Sequence, residues 1–134
     1  MSKIFNVGEK ATQEFHITDE MIIQFAKLSN DLNPIHLDEQ YASESRFKAR
    51  IAHGILIASF ISAVLGTQLP GPGAIYINQD LKFTAPVYIG DTITVIVAVL
   101  DWDKQSKKLK LSTICKNQNK KIVLQGEAKL LVEE

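Results

Sequence analysis

Residues 52–66 read Ala-His-Gly-Ile-Leu-Ile-Ala-Ser-Phe-Ile-Ser-Ala-Val-Leu-Gly, a run apolar on nearly every face. At 3.6 residues per turn it makes about four helical turns. A helix that is hydrophobic all round must lie inside the protein, wrapped by other elements. Gly66 is a natural helix stop, and Pro70-Gly71-Pro72-Gly73 is a firm break. Whatever this chain folds into has to enclose that helix.

The wrapping comes from the chain beyond the break. Ile75 to Phe83 reads as a strand, ended by Pro86, and Thr92 to Leu100 is rich in β-branched residues behind a Gly90-Asp91 turn. Lys108 to Lys116 alternates, with Leu109, Leu111, Thr113 and Cys115 on one face, and Ile122 to Val132 forms a last strand. Short polar links, 103–106 and 117–120, suit antiparallel hairpins. Upstream, Lys10 to Ile17 is an edge strand or extended arm. Thr18 is a candidate N-cap for an amphipathic helix carrying Met21, Ile22, Phe25 and Leu28 to about Ser29. Asp38 to Ser45 is expected as a short helix with Tyr41 facing inward. The plan is α+β, in one domain spanning residues 1–134: an antiparallel sheet curled around a central helix. Two such sheets pairing edge to edge would protect the edge strands in a homodimer.

Composition narrows the function classes. Of 134 residues, 46% are hydrophobic and 22% charged, a globular balance. Lys+Arg and Asp+Glu stand at 15 each, so no nucleic-acid or anionic-membrane footprint appears. The first ten residues lack an apolar run suited to a signal peptide, and Ser59 and Ser62 interrupt the longest apolar stretch, too short to span a bilayer. The single cysteine, Cys115, makes no intrachain disulfide and fits a reducing compartment, so a cytoplasmic location is expected. It is most simply a small buried hydrophobe.

The chemistry-bearing stretch is Ser29-Asn-Asp-Leu-Asn-Pro-Ile-His36. Pro34 fixes its own φ and pushes Asn33 out of the α region, so no helix can run through, and a stiff turned loop is expected. Such a loop can aim Asp31 and His36 at one point, as paired acid–base chemistry requires. The plainer reading makes Asp31 and Asn33 turn residues and His36 an ordinary polar residue. At Ala52-His53-Gly54, the first helical turn has amides without intrahelical partners and a dipole that favours negative charge. Gly54 could therefore serve an oxyanion, or merely permit tight helix entry, while His53 caps or packs. Ala58 and Ser62 share the face of Gly54, with Leu65 close by, and could border a slot along the helix. No second histidine or cysteine stands at ligand spacing around His36, so no metal is expected.

Taken together, Asp31-Leu-Asn-Pro-Ile-His36, then Ala52-His53-Gly54 opening a long apolar helix, then the 79–90 strand and turn, resemble the R-specific enoyl-CoA hydratases. These form part of the MaoC-like branch of the hot-dog fold. The resemblance covers essentially the whole chain. The family commonly carries glycine directly before the aspartate; here it is Asn30, a residue that tolerates left-handed backbone. The resemblance implies that Asp31 and His36 grip a water beside the double bond of a trans-2-enoyl-CoA and add it syn, giving the (R)-3-hydroxyacyl-CoA. It implies that the Gly54 amide holds the thioester oxygen, that Ser62 lines the substrate pocket with Leu65 beside it, and that no cofactor is required. CoA phosphates would be met from among Arg46, Lys48, Arg50 and Lys82. Two alternatives stand beside the hydratase: a hot-dog acyl-CoA thioesterase, and a non-catalytic acyl-thioester binding subunit. His16 and His53 are expected to be structural.

Overall fold

Helix α4 (Gly54–Thr67) runs across the concave side of a single antiparallel sheet in a computed structural model that describes residues 3–133. Leu56, Ile57, Ile61, Val64 and Leu65 point into the core at 6% exposure or less. Each such side chain contributes roughly 1.5–3 kcal/mol through burial. The enclosure is one-sided within the chain. Ile55 is 56% exposed, and Ser59, Ser62 and Ala63 also face outward. The expectation of a helix wrapped on every side is thus corrected: the sheet curls over one face only.

The chain runs β1 (Lys10–His16), α1 (Asp19–Ser29), α2 (Pro34–Leu37), α3 (Glu39–Ser43), α4, β2 (Ala74–Gln79), β3 (Lys82–Phe83), β4 (Thr92–Asp103), β5 (Lys108–Lys116) and β6 (Ile122–Val132). The strand order is β1-β4-β5-β6-β2, with β3 also on β6 and all pairs antiparallel. β1 is an edge strand, as its polar composition suggests. β4 buries Ile93, Val95, Val97 and Val99, and β5 buries Leu109, Leu111, Thr113 and Cys115, so the two-residue alternation sets the inner face. A register shift between Val99 and Asp101 carries β4 past Leu100 to Asp103.

The expected strand from Ile75 to Phe83 is broken in two. Asp80 leaves the line, its amide donating to the Glu127 carbonyl at 3.0 Å while its carboxylate accepts from the Glu127 amide at 3.1 Å. Beneath this bend lies Gly126, where a Cβ would strike the Asp80 carbonyl oxygen. Only glycine lets the two backbones approach so closely.

Two helix assignments also shift. Pro34 starts α2, where its missing N–H costs nothing, and Asn33 caps it by accepting from the Ile35 amide at 3.2 Å. His36 therefore sits on a single helical turn, not in a loop. Asp38 caps the next turn, α3, whose buried residue is Ala42, whereas Tyr41 is 53% exposed. In α1 the inward face is Ile22 and Ala26, with Met21 and Phe25 packed at its edge; Leu28 is 86% exposed. Among the described residues no helix is long and apolar enough to cross a membrane.

Candidate active site

Helix α1 ends in a left-handed residue, Asn30 (φ 63°, ψ 21°), which turns the chain into the 31–36 segment. An Asn side chain hydrogen-bonds locally and accepts this conformation at low cost. Asp31 is exposed, and its Oδ1 accepts from the Asn33 amide at 3.4 Å. His36, 8% exposed, turns inward, and its Nδ1 lies 2.7 Å from the Ile51 carbonyl oxygen. A carbonyl can only accept, so Nδ1 carries the proton and Nε2 presents a lone pair.

Arg50 secures this turn from behind. Its Nε donates to the His36 carbonyl at 2.7 Å, and Nη2 reaches Asp19 at 2.6 Å. The guanidinium, at 9% side-chain exposure, is therefore committed to the scaffold and removed from the basic residues available to a phosphate. Arg46 lies instead at the cavity wall, 5.3 Å over the Phe47 ring.

A cavity of about 480 Å³ opens where His36, Ile51, Ala52, Gly54 and Phe83 meet. It brings the imidazole and the start of α4 to one space. Gly54 is the first helical residue, so its amide has no intrahelical acceptor. It also meets a steric demand: a Cβ there would lie 2.5 Å from Phe83 Cε1. The close approach of Phe83 is a steric reason for glycine at this helix start. Ser62 lines a second cavity of about 400 Å³ with Ala58, Tyr76 and Gln79, and Ile55 borders both spaces. Leu65 is 1% exposed within the core and lines neither cavity. One helical turn past Ile61, it faces the sheet.

The residue that sequence spacing passed over is His53. Its ring stacks on His36 with centroids 3.8 Å apart and planes at 27°, and its Nε2 lies 3.0 Å from the Asp31 carbonyl oxygen. One ligand-capable atom each from Asp31, His36 and His53 lie within 4.8 Å of one another. Imidazole lone pairs lie in the ring planes, and zinc sits about 2.0–2.1 Å from each nitrogen. Two nearly parallel rings at this spacing do not converge on such a point, so the trio is a poor fit for a metal. Spacing alone carries no signal for this contact, which exists because the fold returns the start of α4 to the Asp31 segment.

Burial holds the His36 imidazole below its ordinary value of 6.5; the bond to Ile51 and the Asp31 carboxylate oppose this, and His53 adds to it. His36 is accordingly a neutral imidazole with a free Nε2 at pH 7.

A curved sheet around a central helix, with an acid and an imidazole beside that helix's amino end, defines a hot-dog protein of the hydratase type. The family profile described as MaoC like domain matches residues 5–121, and the chain belongs to that family. The (R)-specific enoyl-CoA hydratase of Rhodospirillum rubrum is 51% identical over 125 residues, covering 93% of this chain and 86% of that protein. The solved (R)-hydratase from A. caviae involved in PHA biosynthesis superposes with a TM-score of 0.93 at 37% identity, covering 96% of this chain and 98% of that one. R-hydratase PhaJ1 from Pseudomonas aeruginosa gives 0.92 at 42% identity, over 97% and 83%.

Proposed function

We propose that this chain is an (R)-specific enoyl-CoA hydratase, a hydro-lyase that hydrates trans-2-enoyl-CoA reversibly to (R)-3-hydroxyacyl-CoA. The observation that carries the reading is the meeting of a neutral imidazole, its Nε2 unprotonated, with the first amide of α4 on one cavity, next to an exposed carboxylate. A water held between Asp31 and His36 adds its oxygen to C3 as one of the pair takes its proton. The π electrons move to the thioester oxygen, held by the Gly54 amide, and a proton from the same pair then reaches C2. Every atom added comes from water, so the reaction calls for no cofactor. Oxyanion donors and positioned acid–base groups of this kind each contribute about 10²–10⁴-fold.

The acyl chain runs along the outer face of α4 past Ile55 and toward Ser62, and Arg46 is the basic side chain nearest the cavity for the CoA moiety. The working form is a homodimer. Edge strand β2 leaves Ile75, Tyr76 and Ile77 40–52% exposed beside the uncovered face of α4, an apolar surface that a second copy would bury. The single cysteine, buried and with its thiol pushed up to about 12, fits a cytoplasmic enzyme.

Loss of crotonyl-CoA absorbance on adding the protein, with chiral analysis of the product, tests the activity; an (S) product or no turnover overturns it. Release of free CoA thiol in the same assay would identify a thioesterase instead. Light scattering coupled to gel filtration reads the oligomeric state.

A further inference from the structure

We infer that His53 is a positioning residue of this site, its one ring fixing the main chain of Asp31, the face of His36 and, through the next peptide, the amide of Gly54. The inference rests on the hydratase reading for its kinetic consequence, but its structural half stands apart from it.

Three observations point the same way. First, His53 occupies the N-cap of α4, yet its side chain makes no capping hydrogen bond. Serine, threonine, aspartate or asparagine would serve a helix start better. Its Nε2 turns away to the Asp31 carbonyl oxygen at 3.0 Å, 22 residues back in sequence. Because that oxygen only accepts, Nε2 is the protonated nitrogen. Second, one ring face stacks on His36 at 3.8 Å, while the Phe25 ring meets His53 edge-on at 4.9 Å and 63°. The imidazole is clamped between α1 and α2 at 2% exposure. Third, its Nδ1 is buried without a hydrogen-bond partner among the described residues.

That third observation is difficult to explain as mere packing. A buried polar atom without a partner costs about 1–3 kcal/mol, and a hydrocarbon ring would avoid it. The site carries that cost and gains an N–H aimed at the catalytic segment. It also gains a flat surface against which His36 cannot tilt. The His36 ring is thereby held at two points, its Nδ1 on Ile51 and its face on His53, which leaves Nε2 one direction to present. Displacement of a reacting group by about 1 Å costs about 10²-fold in rate.

The experiment compares three substitutions by steady-state kinetics on crotonyl-CoA. His53→Phe keeps the stacked ring and loses the N–H. His53→Gln places an amide nitrogen close to the position of Nε2. His53→Asn carries the same amide one methylene short of the Asp31 carbonyl. The expected pattern is a fall in kcat of about 10–100-fold for Phe and Asn. KM should move less than about threefold, because uniform substrate binding is untouched. Gln should recover most of the lost kcat. Equal kcat in all four proteins, or equal loss in Gln and Asn, overturns the inference. If His53→Phe fails to fold, the Gln and Asn pair still decides the matter.

A second measurement needs no turnover. Long-range nitrogen–proton NMR of the wild-type protein should find His53 as the Nε2–H tautomer and His36 as the Nδ1–H tautomer. A protonated Nδ1 on neutral His53 would overturn the inference whatever the enzyme does. Absence of hydration by the wild-type protein, with those tautomers as expected, would overturn the function and leave the positioning contacts intact.

Discussion

Arg50 holds His36 by its main chain: the guanidinium Nε donates to the His36 carbonyl oxygen at 2.7 Å, and the same side chain pairs with Asp19 at the start of α1. A cation that sequence reading offers to a phosphate is thus spent on geometry. Replacing Arg50 by Ala should lower stability by about 2 kcal/mol, the scale of hydrogen bonds to charged groups. It should also lower kcat, since the turn that carries His36 loses its support. Lysine should restore little, because one ammonium cannot reproduce the fork. Urea unfolding and crotonyl-CoA kinetics on the same preparations check both halves.

Asp31→Asn and His36→Gln should each reduce kcat by about 10²–10⁴-fold. Their stability effects should differ. Asp31 is exposed and its change should leave the urea midpoint nearly unmoved, whereas His36 is 8% exposed and gives up its bond to Ile51.

The acid side of the pH profile is set by the depressed His36 value. As a neutral acceptor His36 should keep kcat/KM level at pH 7, with the fall beginning below 6.5. Stability takes the same direction. Between the folded value and 6.5 the unfolded chain binds more protons than the folded one, so stability drops as pH falls through 6.5 and the loss is complete below the folded value. Above 6.5 this group contributes no slope. Thermal melts of wild type and His36→Gln from pH 5 to 8 should keep a constant offset above 6.5 and converge below it, where only the wild type loses stability through this group.

Gly54→Ala forces the Phe83 ring off the helix start, because the new methyl would lie 2.5 Å from Cε1. Overpacking of this kind costs about 1–3 kcal/mol. Phe83 is half exposed, so its ring has room to swing. Phe83→Ala removes the clash, so the double variant Gly54→Ala/Phe83→Ala should be more stable than the sum of the two single losses. Calorimetry on the single and double variants reads the coupling.

Gly126→Ala is the harsher change. Its methyl meets a backbone carbonyl at Asp80, which has no free rotation to yield. The expected loss is about 3 kcal/mol or more. Separation of the β2–β3 bend from β6 should appear as fast amide exchange at Asp80 and Glu127.

Much of this was legible from local pattern. Alternation in β5, β-branched content in β4 and the capping residues Thr18 and Asp38 act over a few residues, so they are written in the sequence directly. The break that Pro34 imposes is local too, although Pro34 starts the turn of α2 that carries His36 where a loop is expected. What escaped depends on distance along the chain. Tyr41 and Leu28 look like core by hydrophobicity, yet α3 turns Ala42 inward and α1 turns Ile22 and Ala26. The break at Asp80 is set by Gly126, on another strand. His53 offered no ligand spacing to His36, because their contact exists only once α4 returns its amino end to α2.

The sheet order carries a consequence for how this enzyme comes into being. β4, β5 and β6 are joined by short hairpins, whereas β1 must find β4, and β2 must find β6, across long intervening chain. Early closure favours near neighbours, because distant ends sacrifice more entropy before any contact rewards them. The three-stranded meander should condense first and accept α4 on its surface. The segment bearing Asp31 and His36 can then settle only against a helix already in place. Catalytic competence would arrive last during refolding, later than most of the hydrophobic collapse that makes it possible.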